Sequence, residues 1–180
     1  MSTEIPAGLA RVRDFVNTTD TETDSDELAT QAELTQFLFS AGLLTRQTRS
    51  SVAELALARS LRAGLRRALE LNHDGASEPI PSLGPLLYQL TMRLRWDGSA
   101  TSLEPVASGV MGALTELAIA VQDSVTSGTW WRLKICSADD CAWAYYDASK
   151  NRSRNWCEYG CGNKIKTRAY RARRKALATA

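Results

Sequence analysis

The sequence predicts an α+β protein: a mainly helical N-terminal domain with one β-hairpin over 1–129, then a small cysteine-bearing module over 130–180 ending in a basic helix. Three observations carry that expectation. Leucines recur at helical spacing through 50–72, apolar residues alternate at period two through 88–96, and all four cysteines fall within 136–161.

Apolar residues make up 44% of the 180 and charged ones 23%, so the chain has material for a buried core. It contains no apolar run of the roughly 18 residues that a membrane helix needs. Its start lacks the basic end and apolar stretch of a secretory signal. The expectation is a soluble, cytoplasmic protein with no membrane partner, where clustered cysteines bind metal more readily than they form disulfides. The net charge of +2 hides an asymmetry. Residues 130–180 hold 12 Lys or Arg against four acids, a net +8, which leaves 10 basic and 16 acidic residues, a net −6, in the remainder. Such a split predicts two bodies with different partners, the basic one suited to a polyanion.

Residues 1–24 read as irregular, closing in the acidic loop TTDTETD. Ser25 or Asp26 is placed to cap a helix through Leu28, Ala32, Leu34, Phe37 and Leu38 that stops near Gly42. A second helix spans about 50–72, with Leu57, Leu61, Leu65 and Leu69 in one i, i+4 row. NHDGASEPIPS breaks the pattern and predicts a loop. Over 86–96, Tyr88, Leu90, Met92, Leu94 and Trp96 share one face at period two, the mark of a half-buried strand; DGS and ATSLEPV complete a hairpin. A third helix covers about 108–127, and Gly128 stops it. Its apolar stripe and that of the hairpin are either core or dimer surfaces, with core preferred. His73 is the only histidine, and no Ser-His-Asp set, phosphate loop or paired carboxylates stand out. The expectation is therefore a protein with no catalytic residues, not an enzyme.

Cys136 and Cys141 are separated by four residues, Cys157 and Cys161 by three, with fifteen between the pairs. Four thiolates in two short-range pairs suit one tetrahedral Zn²⁺ in a structural site, with no position left for water. Neither pair has the two-residue spacing of a redox motif, and two disulfides remain the alternative. WWRLKIC and AWAYYD read as strands meeting at a cysteine knuckle, and the second pair opens the terminal helix. That order predicts a treble-clef-like zinc finger, with Trp143, Tyr145 and Trp156 as core around the metal.

The basic residues form two sets. Lys150, Arg152 and Arg154 lie between the cysteine pairs; Lys164, Lys166, Arg168, Arg171, Arg173, Arg174 and Lys175 lie along the terminal helix. Lys164, Arg168, Arg171 and Lys175 line one face and Ile165, Ala169, Ala172 and Ala176 another, so a helix docked by its small face would offer cations to phosphates. Duplex DNA is the favoured partner. RNA or single strands are the alternative because aromatics stand beside the arginines. A protein-interaction module is the other, including an autoinhibited form with the tail docked on the chain's own acidic domain.

The string from RLKIC through CAWAYYDASKNRSRNWC to CGNK resembles the CGNR-type zinc finger of bacteria. Cys161, Gly162 and Asn163 match its name-giving motif, and Lys164 replaces the arginine. Arg132, Leu133, Asp147, Ser149, Asn151, Ser153, Arg154 and Trp156 match as well. Phe15, Val16, Asn17 and Thr18 resemble an early motif of the ABATE domain that usually precedes this finger. The resemblance implies a stress-linked transcription regulator with DNA binding in the finger. Its N-terminal domain would sense a ligand or mediate partnership, with a homodimer and a small-molecule effector as candidates.

Overall fold

The structure, a computed structural model, describes residues 4–46 and 48–178, the last four by backbone only. Its core is built by three helices: α1 (Ala7–Val16), α3 (Val52–Asp74) and α5 (Gly109–Thr126), with α2 (Gln31–Ser40) closing one side. None of the helices among the described residues is long and apolar enough to cross a membrane.

α1 corrects the irregular start expected from sequence. Pro6 precedes it, and Leu9, Val12, Phe15 and Val16 bury one stripe against α5 and α3. A Cβ on Gly8 would come within 3.1 Å of the Ala120 Cβ, so a glycine lets α1 and α5 approach closely. The predicted cap at Ser25 or Asp26 is also corrected. These residues form β2 (Ser25–Asp26), antiparallel to β1 (Thr19–Asp20), and Thr30 caps α2 instead. Asp26 receives both terminal nitrogens of Arg62 on α3, at 2.6 and 2.9 Å, which pins this small loop to the core. The Arg62 hydrogen bond, followed by the Leu28 N–H and the charges of Arg62 and Arg59, outweighs burial and holds the Asp26 carboxyl below its usual range.

α3 follows its sequence pattern closely. Leu57, Leu61, Leu65 and Leu69 are all buried. The Ser51 Oγ accepts the Glu54 N–H at 3.1 Å, and the Glu54 carboxylate accepts the Ser51 N–H at 2.7 Å, a reciprocal capping box. Ser51→Ala is expected to cost about 1 kcal/mol in urea unfolding; an unchanged midpoint would mean the cap is redundant. The helix ends at Gly75, whose φ of 67° lies in the left-handed region.

The hairpin expected over 86–105 departs from its sequence pattern. Leu83–Leu87 is a short helix, α4, and the strand β3 begins only at Met92 (Met92–Trp96), pairing with β4 (Thr101–Pro105) in the register Leu94↔Leu103. The face predicted to be half-buried is open: Leu94 is 68% and Trp96 64% exposed. The tip of this two-stranded sheet is uncovered; its Met92–Pro105 end reaches the core, where β4 lies against α5.

After α5 a 3-10 turn (Trp130–Arg132) replaces the start of the expected strand, then β5 (Leu133–Ile135) pairs antiparallel with β6 (Ala144–Tyr146). Trp130, Leu133, Ile135, Ala144 and Tyr146 join the same buried cluster as Leu9, Phe15 and Leu69. A second, smaller cluster contains Cys136, Ala138, Tyr145, Cys157 and Cys161, with Trp143, Trp156 and Ile165 packed around it. The chain ends in α6 (Cys161–Ala178).

Candidate metal centre and basic helix

The knuckle between β5 and β6 is closed by the Cys136 N–H donating to the Trp143 carbonyl at 2.8 Å and the Cys141 N–H to Ala138 at 3.0 Å. Cys157 arrives from the following loop, and its N–H points at the Cys136 Sγ, 3.4 Å away. Cys161 is the first residue of α6, where the N–H groups of Asn163 and Lys164 both reach the Gly160 carbonyl at 3.0 Å. Gly162 has a packing reason: a Cβ there would meet the Trp156 ring at 3.3 Å.

These elements bring all four sulfurs within 4.8 Å of one another. The Cys141–Cys157 and Cys157–Cys161 separations are each 3.6 Å. Zinc–thiolate bonds of about 2.3 Å give a tetrahedral edge of about 3.8 Å, so the donor set has the spacing that zinc would impose. It is far wider than the roughly 2.05 Å of a disulfide, and none of the four cysteines is in one. Burial pushes the Cys157 thiol up to about 11 and raises Cys141 further. Burial acts the same way on Cys136, but the N–H groups of Cys157 and Ala138 outweigh it and hold that thiol below its usual value. Closing the site on a metal therefore requires releasing protons that burial favours, which the divalent charge supplies.

The loop carrying Cys157 is wound around Asp147. Its carboxylate accepts from Lys134 Nζ (2.9 Å), Ser149 N (3.0 Å) and Oγ (2.5 Å), and Arg154 N (2.9 Å). Arg132 donates to the Asp147 and Ser149 carbonyls at 2.9 and 2.8 Å. Of the matched finger residues, Arg132, Asp147 and Ser149 thus build the loop. Sequence reading assigned them no structural role, because the partners of Asp147 are spread from 132 to 154.

The ten basic residues proposed to meet nucleic acid separate by what holds them. Arg154 donates to the Trp156 carbonyl at 2.8 Å and lies over the Tyr145 ring, so it braces the finger. Lys164, in the place of the motif's arginine, pairs with Asp140 at 2.6 Å, and Arg168 lies 3.6 Å from the same carboxylate. Lys166 sits 6.0 Å over the Trp156 ring. Lys150, Arg152, Arg171, Arg173 and Arg174 are exposed. The Lys175 side chain lies outside the described residues, as does that of Ala176.

The expected docking of α6 by its small face is corrected. Ile165 packs into the metal cluster, but every residue from Lys166 to Arg174 is exposed, Ala169 and Ala172 included. Alanine side chains offer too little area to hold a helix that leaves the body after two turns. The autoinhibited arrangement is likewise not the one seen. The carboxylate that holds Lys164 and Arg168 is Asp140 of the finger itself, and Arg171, Arg173 and Arg174 face solvent.

Four sulfurs within 4.8 Å of one another, three of them on buried cysteines and Cys141 half-buried, set between a β-knuckle and a helix start, define a structural zinc finger. Residues 132–174 match the CGNR zinc finger, and residues 9–128, more than half of the chain, match the family described as "ABATE: Putative stress-induced transcription regulator". The chain belongs to the ABATE family and carries a CGNR zinc finger. A search of curated proteins finds no match.

Proposed function

We propose that the protein is a non-catalytic, DNA-binding transcription regulator that meets duplex DNA through α6 and the 150–152 loop. One observation carries this reading. From Lys166 to Arg174 the helix is exposed on every side and bears Arg168, Arg171, Arg173 and Arg174, while the whole of α6 contains no acid. A helix polar all round gains nothing from tertiary packing and repels itself electrostatically. A polyanion removes that repulsion, and a single basic helix fits a major groove. The zinc anchors the helix start, and the Asp140 pairing sets its first two turns on the finger. The N-terminal domain would receive the signal or a partner. A cleft of about 540 Å³ where α1, α5 and β4 meet, lined by Leu9, Arg11, Glu116 and Asp123 among others, is a candidate place for it.

The test is equilibrium binding of the zinc-loaded protein to duplex DNA from upstream of its own gene. Unrelated duplex, single strands and RNA are run beside it over a salt series. Preference for the upstream duplex is expected. Replacing Arg171, Arg173 and Arg174 together by alanine should lower affinity for every duplex and reduce the salt slope by about 2 to 3. An unchanged slope in the triple variant places the surface elsewhere. Tyr159 and Tyr170 are exposed beside the cations, which favours stacking on unpaired bases as the second reading. Stronger binding to single strands than to duplex would select it.

A further inference from the structure

We infer that the zinc site is completed by the N-terminal domain: Asn17, Thr21 and Arg66 are positioning residues of the metal knuckle, so zinc affinity is set jointly by both regions. The knuckle turns back on itself just after Cys141. There Ala142 has φ of 50°, a left-handed conformation unfavourable for a non-glycine residue. Three side chains from the first 66 residues hold that turn. Thr21 Oγ1 donates to the Cys141 carbonyl at 3.1 Å. Arg66 donates to the Ala142 carbonyl and, through its other terminal nitrogen, to the Val16 carbonyl at 2.8 Å. The Asn17 amide takes both backbone groups of Ala144, donating to its carbonyl at 2.9 Å and accepting its N–H at 2.7 Å.

Asn17 thus acts as one more residue of sheet on the outer edge of β6, and it is buried in doing so. Its neighbour Phe15 is in the main core, and Thr18 is bound to Arg62. The Phe15–Val16–Asn17–Thr18 motif therefore has a function that neither its sequence nor a ligand explains: it presents the asparagine to the metal knuckle. At the far end of the same hairpin, Asn72 donates to the Trp130 and Leu133 carbonyls at 3.1 and 3.0 Å. The hairpin that carries Cys136 and Cys141 is clamped at both ends by α1 and α3. Hydrogen bonds made directly to metal ligands typically tune affinity by about 10–100-fold; these bonds act one step further out, on the backbone that carries the ligands, so the lower end of that range applies. Coupling of this kind is reciprocal, since whatever the clamp adds to zinc affinity zinc returns to the clamp.

The experiment uses the full chain and needs no nucleic acid, so it is independent of the proposed DNA binding. Asn17→Asp keeps the volume and the acceptor for the Ala144 N–H, but it sets an oxygen against the Ala144 carbonyl. Thr21→Val removes one exposed donor without touching the core. Zinc affinity is measured by competition with a chromophoric chelator; loss of about tenfold is expected for Asn17→Asp and of about fivefold for Thr21→Val. In the wild-type chain, stripping zinc should also raise amide exchange at 16–19 and around Arg66, not only within 133–161. Wild-type zinc affinity in Thr21→Val, or exchange changes confined to 133–161 on stripping, overturns the inference whether or not Asn17→Asp folds.

Discussion

Cys157→Ser is expected to lose stoichiometric zinc and with it the packed state of the finger. Cys157 sits at the centre of the donor set: its sulfur lies 3.6 Å from those of both Cys141 and Cys161, and its N–H points at that of Cys136. Serine has nearly the same volume, so the substitution changes the donor rather than the packing. The small cluster around the site contains only Ala138, Tyr145 and three cysteines as fully buried members. So few side chains cannot fold a module alone, and the metal takes the place of a core. Structural zinc in finger peptides supplies about 10–16 kcal/mol at neutral pH, far more than any single contact here. The checks are the zinc-to-protein ratio and the near-UV circular dichroism of Trp143 and Trp156. One zinc per chain at wild-type affinity would falsify the four-sulfur assignment.

What could be read from the sequence, and what could not, follows the range of the interactions. The α3 leucine row and the Ser51–Glu54 box are local, and both are present as written. The cysteine spacing is also informative, because short loops leave the chain few ways to bring two sulfurs together. The strand expected over 86–96 starts too early and is less covered than its alternation suggests. Leu86 and Leu87 belong to a helical turn, and period two says nothing about whether a second layer covers Leu94 and Trp96. α1 has only four buried apolar residues in ten, and its burial is decided by Ala120 and α3, far away in sequence. The same holds for Asn17, whose partner stands 127 residues on. Polar residues that pair with backbone across such distances carry no periodicity; Asn17 stands out only through the resemblance of its motif, which gives it no partner.

Asp147→Ala is expected to destabilise the finger by about 3–5 kcal/mol, the largest effect for a residue that touches neither metal nor nucleic acid. The carboxylate has no exposed surface, and each of its oxygens accepts two hydrogen bonds. Removing it strands the Lys134 ammonium, itself buried, with only the Arg152 carbonyl at 2.6 Å and a long contact to that of Arg154. An unpaired buried charge costs more than the pair contributed. The loop would then release Arg154 and, three residues on, Cys157. Asp147→Asn is the stricter test, because the shape is kept while an amide can accept on one side only. Two donors would face its N–H₂ group, so most of the loss should persist in urea unfolding at neutral pH. The acid dependence follows from the same contacts. Burial raises the Asp147 carboxyl, but the hydrogen bonds from Ser149, Lys134 and Arg154 outweigh it and hold it below the usual range. A carboxyl depressed in the folded state contributes stability above its unfolded value of about 3.9, and that contribution fades as pH falls through the folded value. Acid also strips zinc by protonating the cysteines, in wild type and variant alike. The informative quantity is therefore the stability difference between wild type and Asp147→Asn, which should be full at pH 7 and shrink as pH falls below 4. A difference that stays constant across that range would mean that the ionised carboxylate is not what holds the loop.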